Sequence, residues 1–189
     1  MAQSLRKTEP ATIAAYDEFV GTSDVRAELV GGVIVMMANP TETHEQIASN
    51  IGAPLKLAVD GRGCRTYLGG MRVQAADSVD GIDKTRPDVM VRCGPGTGKT
   101  YITDPIVVVE VLSPSTIDFD RGPKLAFYKS LPTVQDIALV YQDQMRVEHY
   151  RRTGDTFEFE VLTTPDARLA FSALAFSLPL NRVSFGVEV

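Results

Sequence analysis

A chain of 189 residues, 44% hydrophobic and 23% charged, has the size of one domain able to bury a substantial core. A net charge of −5 excludes bulk attraction to nucleic acid, so a polyanion would have to be met by a local cluster of Arg and Lys or through a metal ion. Two cysteines, Cys64 and Cys93, are too few for a disulfide framework, and the longest apolar runs fall far short of a membrane span. With no signal-peptide pattern at the start, the expectation is a reduced, soluble, cytoplasmic protein that makes no membrane contact.

In chain order, "TIAAYDEFV" carries Ile13, Tyr16, Phe19 and Val20 at helical spacing and predicts a short amphipathic helix. "ELVGGVIVMM" places Gly31 and Gly32 between two apolar runs and predicts a hairpin. From Thr43 to Val59 apolar residues recur at helical intervals, with Gly52 and Pro54 expected to kink or split the helix. "CRTYLGGMRVQ", "RPDVMVRC", "PIVVVEVL" and "DIALVYQ" are strand candidates, with "RGPKLAFYKSL" a helix between the last two. "MRVEHYRRTGDTFEFEVL" predicts a closing hairpin around Thr153, Gly154 and Asp155, in which His149 is a plain strand residue. The fold class is α+β, with a mixed central sheet flanked by helices and preceded by an N-terminal helix and hairpin. One domain is expected: an extension over 1–27, a core over 28–150, and a C-terminal hairpin and tail over 151–189.

The stretch "CGPGTGKT", from Cys93 to Thr100, differs by one residue from a phosphate-binding loop. Such a loop needs a helix after it, so that backbone N–H groups and the helix N-terminus converge on phosphate. Here "YITDPIVVVEVL" follows, where Asp104 and Pro105 would stop a helix within a turn. The expected structure is a loop between two strands, with Lys99 solvated and nucleotide hydrolysis a residual alternative.

The flanks of that loop carry more chemistry. Asp88 opens one strand and Glu110 lies near the end of the next. If these strands pair as an antiparallel hairpin, both carboxylates lie at one end of the sheet. Adjacent carboxylates repel, and a shifted pKa or a divalent cation relieves them. Farther on, Asp120 is expected to cap a helix whose first turn contains Pro123 and Lys124. Asp120, Lys124 and Tyr128 then share one helix face. Alone, that spacing would suit an ordinary surface stripe equally well.

Together these residues resemble the Uma-two-type family of restriction endonucleases within the PD-(D/E)XK phosphodiesterase superfamily. The resemblance runs from about Glu28 to Tyr150 through "ELVGG", His44, "RPDVMV" and "VVVEVLSPSTIDFDRGPKLAFYKSL". It implies a helix, a three-stranded antiparallel meander, a second helix and a strand added to the sheet. It also implies a metal-dependent phosphodiesterase, a DNA endonuclease in the first place, with a catalytically weak nucleic-acid-binding or regulatory module as the alternative. Carried over by position, Asp88 and Glu110 hold Mg²⁺, for which Mn²⁺ can substitute, and Lys124 assists the attacking water. Leu112 stands where the superfamily's commonest pattern has its lysine, and Lys124 satisfies the migrated position. Glu28 and His44 match supporting positions, and Asp120 and Tyr128 accompany Lys124.

The expected partner is nucleic acid, with Arg62, Arg65, Arg72, Arg86, Arg92 and Lys99 near the site in sequence. Cutting both strands of a duplex is easiest with two sites related by a two-fold axis, which suggests a homodimer.

Overall fold

The computed structural model describes residues 9–188 except 24, 76, 78 and 115. Residues 1–8 of the expected N-terminal extension, and Ser115 of the turn after Glu110, lie outside the described residues. Helix α1 (Ile13–Gly21) is capped by Thr12, whose hydroxyl accepts from the Ala15 N–H, and it buries Ile13 and Tyr16. Strands β1 (Ala27–Val30) and β2 (Val33–Met36) form the expected hairpin, with Val30 opposite Val33.

Helix α2 (Glu42–Val59) is continuous, contrary to the expected break at Gly52 and Pro54. Its buried face of Ile47, Ile51, Leu55 and Val59 packs on the main core, and that packing offsets the one backbone bond Pro54 cannot make. Gly52 is needed for closeness: a Cβ there would come within 2.5 Å of Leu68 Cδ2.

The segment "CRTYLGGMRVQ" is two strands, not one. β3 (Cys64–Leu68) joins the central sheet, whereas β4 (Arg72–Val73), beyond the Gly69–Gly70 bend, pairs in parallel with β6 (Tyr101–Ile102). Between them in the chain lies β5 (Val89–Cys93), and β7 (Val107–Leu112) follows β6. The central sheet continues with β8 (Asp136–Tyr141), β9 (Val147–Thr153) and β10 (Thr156–Leu162), in the order β10-β9-β8-β7-β5-β3. Within this sheet β7 and β8 alone pair in parallel, joined by the helical crossover at 117–130.

All six residues of β7 are buried because the sheet is covered on both faces. Val107, Val109 and Val111 face the cluster built with α2, and Val108 and Leu112 face the cluster built with the crossover helix. By alternation Glu110 points toward the crossover helix, which decides what can reach it.

That crossover begins as α3 (Ile117–Phe119), passes through a π-turn over Asp120–Lys124 and ends as α4 (Leu125–Ser130). Asp120 is therefore interior to the helix instead of its N-cap, and Lys124 lies well beyond the first turn. Pro123 lacks an N–H and crowds the preceding turn, and the Leu125 N–H bonds back to the Asp120 carbonyl five residues earlier.

The expected tail is part of the core. β11 (Arg168–Phe171), β12 (Phe176–Pro179) and α5 (Leu180–Val183) contribute Leu169, Phe171, Leu178, Leu180 and Val183 to the cluster beneath α2. Cys64 and Cys93 are directly opposite in the β3–β5 ladder and joined as a disulfide, which corrects the reduced state expected from their number. Their separation of 29 residues concealed a partnership that the strand register creates. Among the described residues no helix is long and apolar enough to cross a membrane.

Candidate active site

The β5–β7 register pairs Val89 with Val109, so one step along the ladder Asp88 faces Glu110. The Val111 N–H donates to Asp88 Oδ2 at 2.8 Å, fixing that carboxylate against the neighbouring strand. The sheet end reached by Asp88 is also where α2 begins. Thr41 caps α2 by accepting from the His44 N–H, and His44 Nε2 lies 3.2 Å from Asp88 Oδ2. Burial opposes charge on His44, but the Asp88 carboxylate outweighs it and raises the imidazolium pKa above its ordinary value.

The π-turn brings Lys124 onto Glu110. Its Nζ lies 2.9 Å from Glu110 Oε1, 2.9 Å from Asp120 Oδ1 and 3.2 Å from Glu28 Oε2. All four side chains are buried. Tyr128, one turn on, donates its hydroxyl to Glu110 Oε1 at 2.5 Å. Burial opposes the Lys124 charge, but the acidic groups around it, Glu110 foremost, hold its pKa well above the usual range. It is an ammonium at neutral pH. For Glu110 the balance is reversed: burial pushes its pKa well up, Lys124 only partly opposes this, and Asp88, Asp120 and Glu28 push the same way.

Glu28 enters from β1, where its Oε1 accepts from the Arg86 N–H. The seven residues singled out from the sequence, Asp88, Glu110, Lys124, Glu28, His44, Asp120 and Tyr128, thus converge from six parts of the chain. All but Tyr128 line one cavity of about 550 Å³, whose wall also includes Arg26, Ser113, Thr116 and Gln142.

The expected basic surround is mostly elsewhere. Arg62 donates to the Leu174 carbonyl, Arg65 to the Gly94 carbonyl, and Arg92 pairs with Asp104, all toward the opposite end of the sheet from Asp88. Lys99 pairs with Asp77 at the surface instead of standing free, and the loop before it leads into β6, not a helix. Arg26, which no sequence pattern marks, does line the cavity. His149 is no plain strand residue either. It is buried between Asp136 and Glu160, at 2.9 and 3.0 Å, because β9 lies between β8 and β10.

A two-faced mixed sheet with an Asp and a Glu opposed on adjacent antiparallel strands, and a helical lysine against the Glu, defines a restriction-endonuclease-like protein. The chain matches the model of the family Uma2, described as "Putative restriction endonuclease", over residues 13–181, and it belongs to that family. It is similar to two uncharacterised proteins of Synechocystis sp. (strain ATCC 27184 / PCC 6803 / Kazusa). With sll1609 it is 30% identical over 152 residues, covering 78% of this chain and 84% of that one. With slr1290 it is 32% identical over 130 residues, covering 68% and 67%. In fold it is similar to the crystal structure of "a putative nuclease belonging to DUF820" from Anabaena variabilis ATCC 29413. That likeness has a TM-score of 0.74 at 23% identity and covers 93% of this chain and 98% of that chain.

Proposed function

We propose that the protein is a metal-dependent phosphodiesterase that cleaves nucleic acid, with duplex DNA as its substrate. The observation that carries this reading is the register placing Asp88 opposite Glu110 in one cavity, with Lys124 held against Glu110.

The donor chemistry fits a hard divalent cation. Five carboxylates, those of Glu28, Glu45, Asp88, Glu110 and Asp120, line the cavity against Lys124 and Arg26, a surplus of three negative charges when all are ionised. Among the described residues no group of three or more His, Cys, Asp or Glu side chains is arranged to hold a metal, which leaves Asp88 and Glu110 as a two-carboxylate pair. Within the described residues neither Asp88 Oδ1 nor Glu110 Oε2 has a protein partner, so each residue retains an oxygen for a ligand. Mg²⁺ or Mn²⁺ is held well by such a pair together with water and substrate phosphate. Bound there, it would polarise the phosphate and lower the pKa of an attacking water.

The chain's own groups have separate tasks in this proposal. Val111 and His44 fix one oxygen of Asp88, and Tyr128 fixes one oxygen of Glu110. Lys124, kept cationic by its neighbours, supplies a fixed positive charge beside the negative charge that develops on phosphate oxygen, and does not act as a base. Glu28 and Asp120 hold the ammonium in place. We place the protein as a homodimer, so that two such sites address the two strands.

The test is calorimetric titration of Mn²⁺ into wild type, Asp88→Asn and Glu110→Gln, alongside cleavage of a labelled DNA duplex. Metal binding and Mg²⁺-dependent cleavage in the wild type, both lost in both variants, are expected. Metal binding without turnover would favour the nucleic-acid-binding module, and a wild type that takes up no metal would remove the proposed centre.

A further inference from the structure

Three arginines stand apart from the others. Among the described residues the guanidiniums of Arg26, Arg72 and Arg86 make no ion pair and no hydrogen bond, and each Nε is buried without a partner. Arg72 has only the face of the Tyr16 ring, at 5.7 Å. This is unusual in a chain with net charge −5, where Arg92, Arg121 and Arg146 each find a carboxylate.

The backbone gathers them. The segment at Lys84 and Thr85 bridges β1 at Leu29 and β4 at Val73, both antiparallel. Val73 and Thr85 exchange both backbone hydrogen bonds, at 2.8 and 2.9 Å, so one step along Arg72 comes across from Arg86. Arg86 is in turn tied to the site by its N–H bond to Glu28, and Arg26, two residues before Glu28, lines the cavity.

We infer that Arg26, Arg72 and Arg86 form a phosphate-binding patch beside the carboxylate cavity, receiving the sugar-phosphate backbone next to the bond to be cut. The inference rests on the proposed nuclease reading for what the cavity does, and it adds how an acidic protein holds a polyanion. Guanidinium forks match phosphate oxygens bidentately, and a nucleic acid strand supplies phosphates at regular intervals. One strand can therefore present one phosphate to the carboxylate cavity and another to the arginines. Arg65 and Arg92, at the other end of the sheet, have no part in this.

Binding of a short fluorescent DNA duplex, with Ca²⁺ replacing Mg²⁺ to limit turnover, tests the patch by anisotropy over a range of salt. Arg26→Gln and Arg86→Gln are each expected to weaken binding several-fold and lower the salt slope by about 1, while the far-end Arg65→Gln changes neither. Wild-type affinity and slope in a folded Arg26→Gln protein would overturn the inference, even if Arg86→Gln fails to fold. Inorganic phosphate that displaces the duplex at low concentration would overturn the polymer assignment in favour of a single-anion pocket. Mn²⁺ titration separates this inference from the reading beneath it. Arginine-dependent duplex binding without metal uptake would sink the nuclease reading alone, and metal uptake with arginine-independent duplex binding would sink the patch alone.

Discussion

Lys124 Nζ stands 2.9 Å from Glu110 Oε1, and both side chains are 3% exposed. This ammonium is what permits Glu28, Glu110 and Asp120 to be buried together. Lys124→Met removes the charge while keeping most of the apolar stem, and is expected to cost about 3–5 kcal/mol at neutral pH, as for other broken buried pairs. The stranded carboxylates should then bind protons more readily, so the deficit should shrink as pH falls. Urea unfolding of both proteins at neutral and mildly acidic pH measures this. A deficit independent of pH would mean that Lys124 contributes packing alone.

Tyr128 is fully buried, and its hydroxyl donates to the same Glu110 oxygen. Tyr128→Phe leaves the ring and removes one donor. A loss of about 1.5–3 kcal/mol is expected, typical of a hydrogen bond to a charged group. Because that bond also orients Glu110, Mn²⁺ affinity should weaken without being abolished. Calorimetry of the folded variant checks this, and unchanged affinity would show that Glu110 needs no such support.

The "CGPGTGKT" loop gives a prediction of the opposite kind. No helix follows it, and Lys99 is committed to Asp77 with its ammonium 5.4 Å from the Tyr101 ring centroid. ATP should therefore give no binding heat with the wild type. Lys99→Ala should leave both the metal titration and the unfolding midpoint in place. ATP binding that vanishes in Lys99→Ala would restore the phosphate-loop reading.

The carboxylate pair was legible because it follows from local pattern: two short strands, a glycine-rich loop, and a charge at each matching end. The sheet faces were legible for the same reason, since six buried residues in β7 demand cover on both sides. What escaped the sequence depended on register between distant segments. Cys64 meets Cys93 only because β3 and β5 pair in that frame. Asp120 reads as a helix cap by its residue type, but the helix begins earlier and a π-turn absorbs Pro123. Pro54 reads as a break, yet the buried face of α2 holds the helix together. The arginines near the site in sequence are distributed over both ends of the sheet, because β3 and β5 run in opposite directions.

Glu148 offers a pH test independent of any metal. It is fully buried on β9, and its carboxylate takes hydrogen bonds from Tyr141 at 2.8 Å, Arg146 at 3.0 Å and Arg121 at 3.2 Å. Burial pushes its pKa up, but these donors together outweigh burial and leave it below the ordinary 4.5. A carboxyl group with a depressed folded-state pKa contributes stability that is present above 4.5 and lost as pH falls through the folded value. Glu148→Gln has no such contribution to lose. Urea unfolding should therefore show the variant about 1–3 kcal/mol less stable at neutral pH, with the gap narrowing only below pH 4.5. A gap that instead widened between neutral pH and 5 would mean that burial, not the three donors, governs this carboxylate.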